Sequence, residues 1–312
     1  MKMPEQANGR NPWRRGWVWA AQLILAVLVG WSVWQSASGN LAKFTSLEVP
    51  LEFRLRWIAL AALLVWGTYF LLIVAWRTVL GGWHQHLPLR SAVRIWCVSN
   101  LGRYLPGKVW SVAGLAVLAR REGVQGWAAA AAALAMQALS IGTGAGVAIA
   151  FLPQADSPVL LVAAIAIAVL SVAALTLKPM VRVLARVASG KIQLQPLPIG
   201  AVLAGAAATL AAWLMYGLAF RFLALGLLPN DAPSLPLAMG SFAGAYIVGL
   251  FAIFAPGGIG IREGMLIVFL TPSIGGGAAL ALSIASRLLL TFTEVTAALV
   301  TVPLARKRGG QA

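Results

Sequence analysis

The chain alternates long apolar runs with short polar ones. Apolar runs of about 20 residues occupy 17–36, 57–76, 127–150, 158–177, 201–225 and 279–302, each long enough to cross the hydrocarbon core of a bilayer as a helix. Two further apolar regions, 90–121 and 236–275, are interrupted by Pro-Gly breaks. The pattern predicts an all-α, polytopic membrane protein forming a single integral membrane domain over 1–312. It has six full spans plus two re-entrant or broken helical hairpins.

Composition agrees, with 60% of the 312 residues hydrophobic and only 10% charged, outside the range of soluble domains. The 24 Lys and Arg against 8 Asp and Glu give a formal charge of +16. These cations sit in separate short loops, which points to topology and anionic lipid and away from nucleic acid. The single cysteine, Cys97, allows no internal disulfide. His84 and His86 are read as an interfacial loop pair and not as half of a metal site, so no metal and no cofactor is implied. The first run follows Arg14 and Arg15 and precedes "SASGN", but it exceeds the apolar core of a cleaved signal peptide.

Lys and Arg near span ends mark the cytoplasmic side. They collect at the N-terminus, at Arg77, Arg90 and Arg94, at Arg120 and Arg121, at Lys178, Arg182, Arg186 and Lys191, and at the tail Arg306, Lys307 and Arg308. The loops at 151–157 and 228–235 hold Asp156 and Asp231 and no cation, so they face outward. Both termini are then cytoplasmic, as for a bacterial inner-membrane protein. Parity makes the first broken region a cytoplasmic hairpin and the second an external one. The halves 1–156 and 157–312 therefore read as one unit inverted, with the breakers Pro106-Gly107 and Pro256-Gly257 at matching places, the pattern of inverted-repeat transporters.

The first hairpin centres on "SNLGRYLPGKVW". Its arms, about 91–104 and 108–120, have the length of re-entrant segments. Pro106 and Gly107 must break the helix, and broken backbone at membrane depth is tolerated only in protein or beside a wet cavity. Arg103 and Lys108 flank the break and predict an anion trap, reinforced by the free N–H groups of the second arm. Snorkelling to the interface is the plainer alternative for both. In the second hairpin, Pro256, Gly257, Gly258 and Gly260 give a glycine-rich turn before Arg262 and Glu263. Glu263 falls in the first turn of the next helix, where capping alone would favour a carboxylate. The arm 236–255 is also long enough to cross fully, so Arg262 and Glu263 are placed either at mid-depth or near the cytoplasmic face.

Glu263 and Glu294 are the two acidic residues within or beside apolar runs. Glu294 follows Arg287 by seven positions on one helix face, about 10 Å along the axis. Intramembrane charges mark pathways, relays or interior ion pairs. Arg287 is read as a second anion contact and Glu294 as its neutralising partner or a proton site. Arg221, late in its span, is read as snorkelling outward. "GTGAG" at 142–146, with Gly240 and Gly244, provides close-packing surfaces. Lys178, Arg182 and Arg186 lie along a basic amphipathic segment suited to an anionic leaflet.

"SNLGRYLPGKVW" and "PGGIGIREG" resemble the paired motifs of the lysylphosphatidylglycerol synthase transmembrane region family, also described as the flippase-like domain. The resemblance implies a polytopic inner-membrane protein handling an anionic or lipid-linked molecule. It carries over Asn100, Arg103, Tyr104, Pro106, Gly107 and Lys108 in the first motif, and Pro256, Gly257, Gly258, Gly260, Arg262, Glu263 and Gly264 in the second. No soluble transferase domain follows within the 312 residues, so the aminoacyl transfer of fused members is not expected here. Neither a nucleophile-base set nor a Walker-type loop is visible. The expectation is a flippase or transporter for an anionic phospholipid or polyprenyl-phosphate-linked lipid. The alternative is a membrane-embedded enzyme of lipid or cell-envelope modification, or an accessory partnering such an enzyme.

Overall fold

The computed structural model describes residues 51–104, 109–152, 158–181, 195–228, 230–251, 258 and 260–302. The predicted first span at 17–36 and the breakers Pro106, Gly107, Pro256 and Gly257 lie outside them, as do Lys108, Asp156, Arg182, Arg186 and Lys191. Among the described residues every regular element is helical: α1 (Leu55–Gly81), α2 (Leu89–Asn100) with a 3₁₀ turn (Leu101–Tyr104), α3 (Trp110–Arg121), α4 (Gly126–Phe151), α5 (Pro158–Thr176), α6 (Ile199–Leu227), α7 (Leu235–Phe251), α8 (Ile261–Ile274) and α9 (Gly276–Thr301). Of these, α1, α4, α6 and α9 are long and apolar enough to cross a membrane, and α5 is 19 residues of apolar helix.

The interrupted regions separate into two pairs of short helices, α2 with α3 and α7 with α8, and both pairs pack against the same two long helices in exchanged order. Arm α3 lies on α4 while α2 lies on α9; arm α8 lies on α9 while α7 lies on α4. Helices α1 and α6 pack most extensively on each other, at the centre. Loop Arg54 and Glu52 donate backbone N–H bonds to Gly226 and Leu227 at 2.9 and 3.0 Å, tying the start of α1 to the end of α6. Helix α5 packs on α4 and α6 and leaves Val159, Val162 and Val169 exposed on its outer side, as an apolar helix facing lipid would.

Small residues let the long helices close on one another. A Cβ at Gly142 would come 2.9 Å from the Ala168 backbone, and one at Gly144 would come 2.6 Å from the Trp213 indole. That indole donates from Nε1 to the Ser140 carbonyl at 2.9 Å, and Thr143 and Thr209 pair their hydroxyls at 3.1 Å. Of the predicted packing glycines, Gly142, Gly144, Gly240 and Gly244 all sit at such approaches, whereas Gly146 faces open space. Gly144→Ala is expected to lower thermal stability in detergent by about 1–3 kcal/mol through overpacking. Gly146→Ala, with nothing within 4 Å, is expected to leave the melting temperature unchanged or slightly higher.

Candidate functional site

The tips of the two helix pairs meet α9 at two levels, the first at Thr291 and Glu294 and the second at Ser283 and Arg287. At the first, the chain tightens into the 3₁₀ turn, and a Cβ at Gly102 would come 2.7 Å from the Ser111 amide, so the arms touch only because residue 102 has none. The turn directs Arg103 and Tyr104 onto α9. Arg103 Nη1 lies 2.6 Å from Glu294 Oε1, and Tyr104 Oη donates to Glu294 Oε2 at 2.7 Å and lies 3.3 Å from Thr291 Oγ1. Both oxygens of the Glu294 carboxylate are therefore occupied, and its side chain is 5% exposed. A second pair, Arg94 with Glu122 at 3.0 Å, joined by Ser91 at 2.8 Å, ties α2 to the end of α3 away from the tip.

The second tip is built by two glycines with left-handed backbone, Gly258 at φ +72° and Gly260 at φ +84°. Helix α8 starts immediately afterwards. Glu263 reaches back to accept the Gly260 N–H at 2.7 Å, which caps the helix. Its other oxygen lies 3.4 Å from Arg287 Nη1, and Ser283 Oγ donates to the Glu263 carbonyl at 3.3 Å. Glu263 thus caps α8 and clasps α9 at once. Arg287 is the twelfth residue of the 26 in α9, which places this tip close to the middle of a membrane-length helix.

Arg262 is arranged differently from the other two arginines. It is 4% exposed, with its guanidinium 4.9 Å from the centre of the Phe242 ring and 5.7 Å from that of Tyr246. Its Nε and Nη2 have no hydrogen-bond partner among the described residues. The side chain is fixed by close backbone packing: a Cβ on Gly249 would come 3.0 Å from Arg262 Cβ, and one on Gly258 would come 3.1 Å from the Gly249 carbonyl. Cation–π contact recovers about 2 kcal/mol when desolvated. Leaving donors of a buried charge unmade costs more than that.

Between the two tips lies a cavity of about 330 Å³, walled by α1–α4 and α6–α9 but not by α5. Arg103, Arg262, Arg287, Glu294, Asn100 and Tyr104 line it. All four tyrosines of the chain do so as well, Tyr69, Tyr216 and Tyr246 joining Tyr104. Tyr216 stacks on Phe242 at 5.5 Å, Trp213 meets Tyr246 edge-on at 5.3 Å, and Tyr69 bonds Thr293 at 3.2 Å. Leu134 is part of the wall and is 58% exposed, so the cavity has an apolar, unsealed side. Among the described residues no group of three His, Cys, Asp or Glu gathers as a metal site would require.

Two expectations change. Glu294 is not the partner of Arg287: seven residues on one helix hold them about 10 Å apart along the axis, and each instead pairs with a hairpin tip. Arg221 is half-buried, donating from Nη1 to the Ala232 carbonyl at 3.2 Å, so it braces the loop after α6. Tyr69, Tyr216, Tyr246 and Phe242, unlike Tyr104, were not singled out from the sequence. The available signal was tyrosine in the interior of apolar runs, away from the interfacial belts where it usually concentrates.

A bundle of membrane-length helices enclosing a cation-lined cavity defines a multi-pass integral membrane protein. The chain belongs to the lysylphosphatidylglycerol synthase TM region family, whose model matches residues 18–298. No curated protein matches it. Membership places it among membrane proteins of lipid or envelope modification or flipping.

Proposed function

We propose that the protein moves an anionic lipid, a phospholipid or a polyprenyl-phosphate-linked lipid, across the bacterial inner membrane, both termini being cytoplasmic. The headgroup phosphate binds in the cavity between the hairpin tips. The observation that carries this reading is Arg262: a guanidinium 4% exposed, with Nε and Nη2 unpartnered among the described residues, at the wall of the cavity. A phosphate oxygen supplies the missing acceptors, and Arg is the side chain best suited to hold it. Arg103 and Arg287, already paired with carboxylates, are positioned to add contacts from the two tips.

Further support comes from the architecture. The exchanged packing of the two hairpins on α4 and α9, and of α1 against α6, is what a repeat inverted about an axis in the membrane plane produces. The contacts of Arg103 and Tyr104 at Glu294 and Thr291, and of Glu263 at Arg287 and Ser283, suit re-entrant hairpins approaching from opposite faces. Leu134 gives an acyl or prenyl chain an apolar way out of the cavity, which favours a lipid over a soluble anion.

The test is headgroup flipping in proteoliposomes. Tail-labelled NBD-phosphatidylglycerol is bleached from outside with dithionite, and the protected fraction is followed over time. Wild-type protein is expected to remove the protected fraction, and Arg103→Ala and Arg287→Ala to slow the process. No acceleration by folded wild-type protein with NBD-phosphatidylglycerol or with a labelled polyprenyl phosphate would overturn transport. An accessory or enzymatic role in envelope-lipid modification would then take its place.

A further inference from the structure

The cavity's charges are not balanced. Three guanidiniums, Arg103, Arg262 and Arg287, line it, and two carboxylates answer them, Glu294 to Arg103 at 2.6 Å and Glu263 to Arg287 at 3.4 Å. Three cations against two anions leave one positive charge among the described residues, and it resides on Arg262, whose nearest described partners are the rings of Phe242 and Tyr246. Each uncompensated ion in a low-dielectric interior costs several kcal/mol. Among the described residues, a ligand with one negative charge would balance this cavity.

Resting on the transport reading above, we propose that the site selects lipids by phosphate charge state: it takes phosphodiesters, which are monoanions, and discriminates against phosphomonoesters and diphosphates. The second proton of a phosphomonoester ionises at about pH 6, so a monoester in neutral or alkaline medium is largely a dianion. In this cavity the dianion leaves one negative charge unanswered, or forces Glu263 or Glu294 to take up a proton. Either outcome weakens the clasp that the carboxylate makes. A diester, from a glycerophospholipid or from a glycosyl phosphoryl prenol, adds its single charge at Arg262 and leaves both clasps intact. The aromatic wall formed by Trp213, Tyr216 and Tyr246 supplies polar edges and ring faces for the uncharged substituent on the far side of the phosphate.

The inference predicts a charge swap. Replacing Glu263 or Glu294 by glutamine raises the cavity from one net positive charge to two, which suits a dianion. The experiment compares proteoliposome flipping, at pH 8, of NBD-phosphatidylglycerol as diacyl diester, NBD-phosphatidate as monoester, and a labelled prenyl phosphoglucose as the other source of diester. Wild-type protein is expected to move at least one diester about tenfold faster than phosphatidate, a factor worth about 1.4 kcal/mol. Which diester is faster separates a glycerolipid from a prenyl source. Glu263→Gln and Glu294→Gln are two independent routes to the same charge change, each checked for folding by thermal melting. Whichever folds is expected to narrow the ratio to within about threefold or to invert it, by the same arithmetic.

Equal rates for diester and monoester with Arg262-dependent flipping would overturn the charge selection and leave transport standing. Faster phosphatidate in the wild type would also overturn it. Loss of both folded glutamine variants would move the readout to the wild type at pH 5.5, where phosphatidate becomes mostly a monoanion. Its rate is then expected to approach that of the diester, and a ratio unchanged with pH would overturn the inference. No flipping of any probe sinks the transport reading together with this one.

Discussion

Arg262→Met is expected to abolish lipid movement while raising the melting temperature of the protein in detergent. Two terms compete at this position. The guanidinium is buried among Phe242, Tyr246 and the Gly249 backbone, with Nε and Nη2 unpartnered among the described residues, so folding carries a desolvation cost that no ion pair with a described residue offsets. Exchange of buried ions for apolar side chains of similar volume stabilises by about 1–4 kcal/mol in favourable cases. Methionine replaces the aliphatic stem of the side chain without its charged end and fits against aromatic rings. The ligand, in contrast, loses its charge-assisted hydrogen bonds, worth about 1.5–3 kcal/mol, which corresponds to roughly a ten- to hundredfold fall in transport at low substrate. A variant that melts lower and flips normally would show that Arg262 serves the fold and not the ligand.

The second large effect concerns the clasp at the other tip. Arg103→Met leaves Glu294, with its side chain 5% exposed, facing only the hydroxyl of Tyr104. Removing one partner of a buried pair costs about 3–5 kcal/mol. Arg103 keeps 33% of its side chain exposed, so the solvent-screened figure is nearer about 2 kcal/mol. The double variant Arg103→Met/Glu294→Gln removes the stranded charge and is expected to recover most of the loss in melting temperature, though not transport. Equal instability of the single and double variants would mean that the tip is held by Tyr104 and Thr291 rather than by the ion pair. Arg262 and Arg103 therefore make opposite predictions for stability and the same prediction for transport.

The difference between these two arginines was not legible in the sequence. Both follow a glycine or near-glycine turn in an apolar region, and both were expected to bind an anion. What separates them is which carboxylate each tip meets, and that depends on how two hairpins 150 or so residues apart settle on α9. The helices themselves were readable: α4 at Gly126–Phe151 was expected at 127–150, and α5 at Pro158–Thr176 at 158–177. Run length and composition decide such elements locally. Helices α1 and α6 extend beyond the expected 57–76 and 201–225, to Leu55–Gly81 and Ile199–Leu227, because Arg77 and the polar ends remain helical past the apolar run. The Arg77 Nε bond to the Leu87 carbonyl at 2.6 Å accommodates that cation. Glu263 was legible in half: its capping position follows from the turn that precedes it, whereas its contact with Arg287 needs the third dimension.

Helix α9 receives one clasp at Glu294 and the other at Arg287, with Thr291 between them. Its hydrogen-bonded backbone fixes 1.5 Å per residue, so it is a ruler that neither lengthens nor shortens. Four residues, about 6 Å by that rise, separate Arg287 from Thr291. In the transport cycle proposed above, a change in which side of the membrane sees the cavity would come from a tip swinging off this ruler, since the ruler does not stretch to let the tips drift apart.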